Sequence, residues 1–213
     1  MSYTLRTEKR LPRICPNDRR DNIIAVATEI FSREGYGSTS MSTIAVALGG
    51  SKATLYKYFL SKEKLFEAAI EQCCLRVLAP LRDLRSSEED DLEALLADFG
   101  ERFLAKIYEA GALDVYRLIH SESVRFPDLA TTFFHSGPDA VLEELRATLE
   151  GFAASGKINC EDLTLAAEQF LGMLRGDRHL RFATGTTPAP DGTEIAHHAK
   201  HAAGIFARGL RRF

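Results

Sequence analysis

Apolar residues recur every three or four positions along most of this chain, and they rarely alternate with polar ones. That spacing is typical of amphipathic helices and argues against strands. We therefore predict an all-α fold. The predicted helices span residues 19–33, 41–48, 52–59, 62–84, about 92–110, 112–125, 127–135, 139–154, 162–183 and a final segment after the loop 184–193.

Residues 40–59 form the most informative segment, since they predict two short helices joined by Gly49-Gly50. Ser40 and Ser51 are suitable N-caps, and Leu55 and Phe59 lie four apart on one buried face. The opposite face carries hydroxyls, lysines and tyrosines. This layout is typical of a helix-turn-helix that places its second helix in the major groove of DNA. An ordinary surface hairpin with a glycine turn has the same pattern.

The distribution of charge favours the DNA-binding interpretation. The whole chain has a net charge of −3. Residues 1–66 contain eleven Lys and Arg against six Asp and Glu, a net +5, and the remainder contains sixteen against twenty-four, a net −8. A basic head on an acidic body is expected of a protein that binds nucleic acid through one end, although chance segregation gives the same numbers.

The segment and its flanks resemble the N-terminal domain of the TetR family of bacterial transcriptional regulators. The residues that carry this resemblance, over about fifty positions without a gap, are Ala27, Phe31, Glu34-Gly35-Tyr36, Thr39-Ser40-Met41, Ile44-Ala45, Gly49, Ser51-Lys52, Thr54-Leu55-Tyr56, Tyr58-Phe59, Ser61-Lys62-Glu63 and Leu65-Phe66. The chain departs from the family pattern at Gly50, where an apolar residue is usual, and at Ala53, where glycine is frequent. We expect Gly50 to loosen the turn.

The resemblance implies three regions: a basic, disordered arm over residues 1–18, a helix-turn-helix domain over 19–66, and a ligand-binding and dimerisation domain over 67–213. A role for the arm on DNA and no role at all are both open. Within the second region, phosphate contacts are expected from Lys52, Tyr56, Lys57, Tyr58 and Lys62. The residues expected nearest to the bases are Ser42, Thr43, Lys52, Ala53 and Thr54, with Ser51 as the cap of the same helix.

The second half, around 117–138, resembles the AcrR/AefR-like branch of the family. That resemblance implies a homodimer through helices 139–154 and 162–183, and a small, hydrophobic effector bound between helices. The candidate lining residues are Phe99, Phe103, Ile107, Tyr116, His120, Phe134, Phe170 and Met173. Ordinary core packing is the competing explanation for each of them, and His120 is the best polar candidate.

Other classes of function find little support in the sequence. No secretory signal and no apolar run near about 18 residues is present, so we expect a cytoplasmic protein. The four cysteines have neither a disulfide framework nor zinc spacing, and His197 and His201 share a helical face without a third ligand. No phosphate loop or nucleophile elbow occurs.

We therefore predict a ligand-responsive transcriptional regulator that uses no cofactor. Of the two possible roles, repression is favoured over activation. The alternative is a helical enzyme or adaptor whose first domain only resembles a DNA binder.

Overall fold

The computed structural model describes residues 16–82, 84 and 91–210, and side chains from residue 19 onward. Within these ranges the chain forms ten helices and no strand. They are α1 (Pro16–Glu34), α2 (Met41–Ala47), α3 (Lys52–Tyr56), α4 (Lys62–Arg82), α5 (Leu92–Ile107), α6 (Ala110–Glu122), α7 (Pro127–Ser136), α8 (Pro138–Ala154), α9 (Leu163–Ala183) and α10 (Gly192–Leu210). The predicted all-α fold is confirmed.

The first helix begins earlier than the sequence suggests. It starts at Pro16, a residue expected to lie in the disordered arm. Proline suits the first helical position, because its fixed φ matches the helix and its missing N–H would have no partner there. The boundary of the arm at residue 18 is therefore wrong, and the arm's remaining residues 1–15 lie outside the described part of the chain.

Buried side chains form two hydrophobic cores. The first, here called the head core, joins α1, α2 and α3 to the first half of α4, and it also takes in side chains of α6 and α7, such as Val115 and Leu129. The second, here called the body core, joins α5, α8, α9 and α10 to the end of α4. The head core therefore extends well past residue 66, and α4 runs through both cores.

Gly176 interrupts α9 with φ +48° and ψ −159°, and the chain continues in helical geometry on either side. Positive φ is readily available to glycine and strained for other residues. Residues after 176 therefore do not lie on the helix faces that a regular helix starting at Leu163 would give them. On α9, Leu171 is buried, whereas Leu165 is 48% exposed.

The Gly49-Gly50 turn is closed by two hydrogen bonds. The Gly50 N–H donates to the Ala45 carbonyl at 3.1 Å, and the Gly49 N–H donates to the Val46 carbonyl at 3.0 Å. This pair of bonds is the Schellman motif that ends helices at a glycine of positive φ, and Gly49 has φ +62°. The turn keeps both bonds although Gly50 provides no side chain.

The two glycines should respond oppositely to alanine. A Cβ added at either one meets no atom within 4 Å, so only the backbone conformation separates them. Gly50→Ala should raise the free energy of unfolding by about 0.4–1 kcal/mol, because it restricts the unfolded chain, while Gly49→Ala should lower it by about 1 kcal/mol through strain at positive φ. Urea unfolding followed by circular dichroism measures both, and a decrease in stability of both variants would contradict this explanation.

None of the helices in the described ranges has both the length and the apolar character needed to cross a membrane. The His197 and His201 rings lie parallel with centroids 6.4 Å apart, but the described residues contain no group of three side chains that could hold a metal ion.

Candidate functional site

The surface of α3 presents most of the residues expected on DNA. Ser51, Lys52, Ala53, Tyr56 and Lys57 are exposed, while Leu55 and Phe59 are buried in the head core, as predicted. The helix itself is short and ends at Tyr56, so Lys57 and Tyr58 lie in the turn that follows. Neither Lys52 nor Lys57 forms an ion pair with a described carboxylate, which leaves both ammonium groups available to phosphates.

Both helices of the hairpin begin with the same serine–threonine cap. The Ser40 and Ser51 hydroxyls accept the N–H groups of Thr43 and Thr54, at 3.2 and 3.1 Å. Each pair of hydroxyls also lies 3.0 Å apart. The predicted N-caps are confirmed. The same bonds fix the positions of the Thr43 and Thr54 hydroxyls, and Ser42 is half-buried beside them.

Lys62 lies in an unexpected environment for a phosphate contact. Its Nζ donates to the carbonyls of Tyr36 and Thr39, at 2.9 and 3.0 Å, and lies 4.2 Å from the centre of the Tyr36 ring. The ammonium group is thus held inside the head, where it ties the start of α4 to the loop before α2. This arrangement argues against a contact between Lys62 and DNA.

Tyr36 connects the head to the body. Its ring packs on Phe66 of α4 and on Phe126, between α6 and α7, with centroid distances of 4.7 and 4.9 Å. Its hydroxyl donates to Glu63 at 3.2 Å. Burial and the Glu63 charge raise the pKa of Tyr36, which therefore stays neutral. Beside it, the Glu122 carboxylate accepts the Gly37 N–H at 3.3 Å, so the end of α6 also contacts the head.

A cavity of about 210 Å³ lies between α4, α5, α6, α7, α8 and α9. Five of the eight predicted lining residues contribute to its wall: Phe103, Ile107, Tyr116, His120 and Phe134. The other lining residues were not predicted from the sequence, and they are Cys73, Cys74, Val77, Ala112, Ile119, Phe133, Gly137, Pro138, Val141, Leu171, Arg175 and His179.

The remaining three predicted lining residues belong to the body core. Phe99 packs on Phe103, and Phe170 packs on Phe206 of α10 with ring centroids 5.0 Å apart. Both side chains are fully buried, and Met173 is half-buried against the same core. These three side chains do not line this cavity, because they pack within the body core formed by α5, α9 and α10.

The polar residues of the cavity come from α6 and α9. The Tyr116 ring lies 4.1 Å from the His120 ring and 4.8 Å from the His179 ring, between centroids. His120 and Arg175 are exposed, whereas His179 is buried. Burial, the Arg175 charge and His120 together lower the pKa of His179, so its imidazole is neutral at pH 7.

Cys73 and Cys74 line the cavity as thiols. Burial raises the pKa of the Cys73 thiol, and it raises the pKa of Cys74 to about 12. Since the thiolate is the reactive form, neither side chain is an effective nucleophile at neutral pH. Their contribution is to packing and to the wall of the cavity.

Two family models match the chain. One, described as "Bacterial regulatory proteins, tetR family", matches residues 23–69. The other, described as "AefR-like transcriptional repressor, C-terminal domain", matches residues 94–209, more than half of the chain. The chain belongs to the TetR family. As a TetR-family chain of the AefR-like branch it is a transcriptional regulator, and the helical enzyme or adaptor is not favoured.

Known proteins agree with this assignment. A TetR-family transcriptional regulator from Mesorhizobium loti MAFF303099 has a solved structure with a TM-score of 0.80 and 27% identity, covering 92% of this chain and 99% of that one. The flavonoid-responsive regulator FrrA has a TM-score of 0.75 and 32% identity, covering 92% and 98%. The HTH-type transcriptional regulator UidR of Escherichia coli K12 is 44% identical over 64 residues, which span 30% of this chain and 33% of UidR.

Proposed function

We propose that this TetR-family protein represses transcription by binding a palindromic operator as a homodimer, and that a small molecule in the cavity releases it. The observation that carries the proposal is the exposed surface of α3, which is basic and has no carboxylate. The core of the head that bears this helix continues to the wall of a mainly apolar cavity. Lys52, Tyr56, Lys57 and Tyr58 would contact phosphates. Ser42, Thr43, Ala53 and Thr54 would approach the bases from two capped helices, with Ser51 at the start of the second.

The proposed dimer is supported by apolar side chains on the outside of α9. Leu165 is 48% and Leu180 61% exposed, and large apolar side chains that are exposed in a monomer can be covered in a dimer. The outer face of α8 is more polar, because Arg146 forms ion pairs with Glu143 and Glu150. We therefore place α9 at the centre of the interface and α8 at its edge.

Two helices would transmit ligand binding to the head. Cys73, Cys74 and Val77 of α4 line the cavity, and the same helix begins in the head at Lys62. Tyr116, Ile119 and His120 of α6 also line it, and Glu122, at the end of α6, accepts the Gly37 N–H. A ligand that binds better to a conformation with displaced α4 and α6 would separate the two heads and lower operator affinity.

The similarity to FrrA supports a small-molecule effector. FrrA is described as responsive to flavonoids, which are small and largely apolar. The cavity of this chain is likewise lined mainly by apolar side chains. Pockets of that composition bind small molecules through contact area and use a few polar groups for orientation.

The function is tested by a gel shift with the purified protein and the DNA upstream of its own gene. We expect specific retardation that strengthens at low salt, because phosphate neutralisation releases counterions, and a dimer mass by light scattering. Absence of retardation on every candidate promoter at low salt without ligand would refute the proposal. A monomer that binds DNA would refute its dimeric part alone.

Lys57→Ala should weaken binding to all DNA sequences alike. Each phosphate that the lysine no longer neutralises should reduce the slope of log affinity against log salt by about 1. Affinities are measured by fluorescence anisotropy at several salt concentrations. Lys200→Ala, at an exposed position of α10 in the body, is the control and should leave the slope unchanged. A weakening confined to one operator sequence would instead assign Lys57 to base recognition.

A further inference from the structure

The cavity is lined mainly by apolar side chains, with a few polar ones and one arginine. Among the described residues, its lining includes Arg175 but no aspartate or glutamate. Arg175 and His179 come from α9, and they face Tyr116 and His120 of α6. The other lining residues are mostly apolar side chains of α4, α5, α7 and α8, such as Val77, Phe103, Phe133 and Val141. A ligand that fills this space therefore meets mainly hydrocarbon, together with the positive charge of Arg175.

The guanidinium of Arg175 has unused donors. Its Nε donates to the Leu171 carbonyl at 3.3 Å, and it forms no ion pair with a described residue. The next arginine on the helix, Arg178, pairs with Glu194 at 3.8 Å, and Arg181 pairs with Asp177. Arg175 thus differs from its neighbours in having no anion within the described part of the protein.

His179 provides a second group without a partner. The residue is 8% exposed, and its Nδ1 is sealed from solvent without a hydrogen bond. Buried polar atoms normally have partners, and leaving one unpaired is unfavourable. Burying Nδ1 without a partner is less unfavourable when it carries no proton than when it is an N–H. The favoured tautomer therefore has its proton on Nε2. This nitrogen also has no hydrogen-bond partner among the described residues, but it is not buried from solvent.

We infer that the effector is a small amphipathic carboxylic acid, which places its carboxylate at Arg175 and His179 and its hydrocarbon part against Phe103, Phe133 and Val141. This inference rests on the proposed function, whose effector site it specifies. A carboxylate suits the site because guanidinium and carboxylate form paired hydrogen bonds. A cationic ligand would be repelled by Arg175, since no carboxylate among the described lining residues offsets its charge. A neutral hydrocarbon would offer no acceptor to Arg175 or to the Nε2–H of His179, whereas a carboxylate offers one to both.

The volume limits the size of the acid. Pockets for drug-sized ligands measure about 300–1,000 Å³, and this cavity is smaller, at about 210 Å³. Phe134 and His120, both exposed, lie at its opening. The dimensions fit a single aromatic ring with a short chain, or an aliphatic chain of medium length.

The inference is tested by calorimetric titration of the full-length, DNA-free protein with octanoate and 4-phenylbutanoate, each compared with its uncharged amide. We expect each acid to bind at least about tenfold more tightly than its amide. Arg175→Met should remove this preference and leave amide binding unchanged, and His179→Phe should reduce it severalfold. Arg178→Met is the matched control on the same helix and should keep the preference. Melting temperatures report whether each variant is folded.

Equal binding of acids and amides, or a preference for acids that survives Arg175→Met, would overturn the inference. Because the titration uses protein without DNA, its outcome is independent of the gel shift. An acid that binds with the expected preference but does not release the operator would support the site and refute the proposed mechanism of release. Failure of DNA binding would refute the proposed function and leave the acid site standing.

Discussion

Lys62→Met should destabilise the head by at least about 3 kcal/mol and abolish most operator binding. The substitution removes two charge-assisted hydrogen bonds to the Tyr36 and Thr39 carbonyls, each contributing about 1.5–3 kcal/mol, and leaves both acceptors in a partly buried place. It also removes the contact between the ammonium and the Tyr36 ring, worth about 0.5–1 kcal/mol. Urea unfolding and a gel shift of the same preparation measure the two effects.

Lys64→Met provides the control at the next lysine. Lys64 is exposed and pairs with Glu67 across one turn of α4, and surface pairs of this kind contribute about 0–1 kcal/mol. The comparison also decides between two roles for Lys62. If Lys62 binds phosphate, as the sequence predicts, Lys62→Met will keep its stability and flatten the salt dependence of DNA binding. A large decrease in stability would instead support the internal role.

Phe66→Ala should destabilise the protein by about 3–5 kcal/mol, because it removes buried apolar surface and leaves a cavity. Phe66 is 2% exposed, and its ring contacts those of Phe31 and Tyr36, with centroids 5.0 and 4.7 Å away. Because α4 carries Phe66 into the head core, operator binding should weaken as well. Thermal unfolding by circular dichroism, together with the gel shift, measures both changes.

Phe134→Ala is the matched aromatic control. Phe134 is 52% exposed at the opening of the cavity, so its removal should change stability by less than about 0.5 kcal/mol. It should keep operator binding and weaken only ligand binding. Equal destabilisation by the two substitutions would contradict the assignment of Phe66 to the centre of the head core.

The head was predictable because its signals are local. Ser40 and Ser51 were expected as caps and accept the hydrogen bonds that define those helix starts. Leu55 and Phe59 were assigned to the buried face from their spacing alone. The internal hydrogen bonds of Lys62 were not predictable, because its partners are backbone carbonyls more than twenty residues earlier in the chain. No pattern of side chains in the sequence identifies such a contact.

The cavity was only partly predictable because it depends on distant packing. Phe99 and Phe103 lie four residues apart on one face of α5, so their spacing does not distinguish a core residue from one that lines the cavity. That distinction depends on how other helices, such as α10, pack against α5. Arg175 and His179 were missed because Gly176 breaks the helical register between them. The end of α9 carries several polar residues, and their spacing alone does not show which of them face the cavity, since Gly176 departs from helical geometry.

The head core continues into α6 and α7, and this continuity limits how the DNA-binding part of such a regulator can be joined to the sensor part of another. A fragment ending at residue 66 would leave the buried side chains of α1 and α4 without Val115, Leu118 and Leu129, which pack against them. The head is therefore not an independent module that can be exchanged between proteins as a block. A chimera that transplants this DNA specificity onto another sensor must also carry over, or rebuild, the surface where α6 and α7 meet Tyr36.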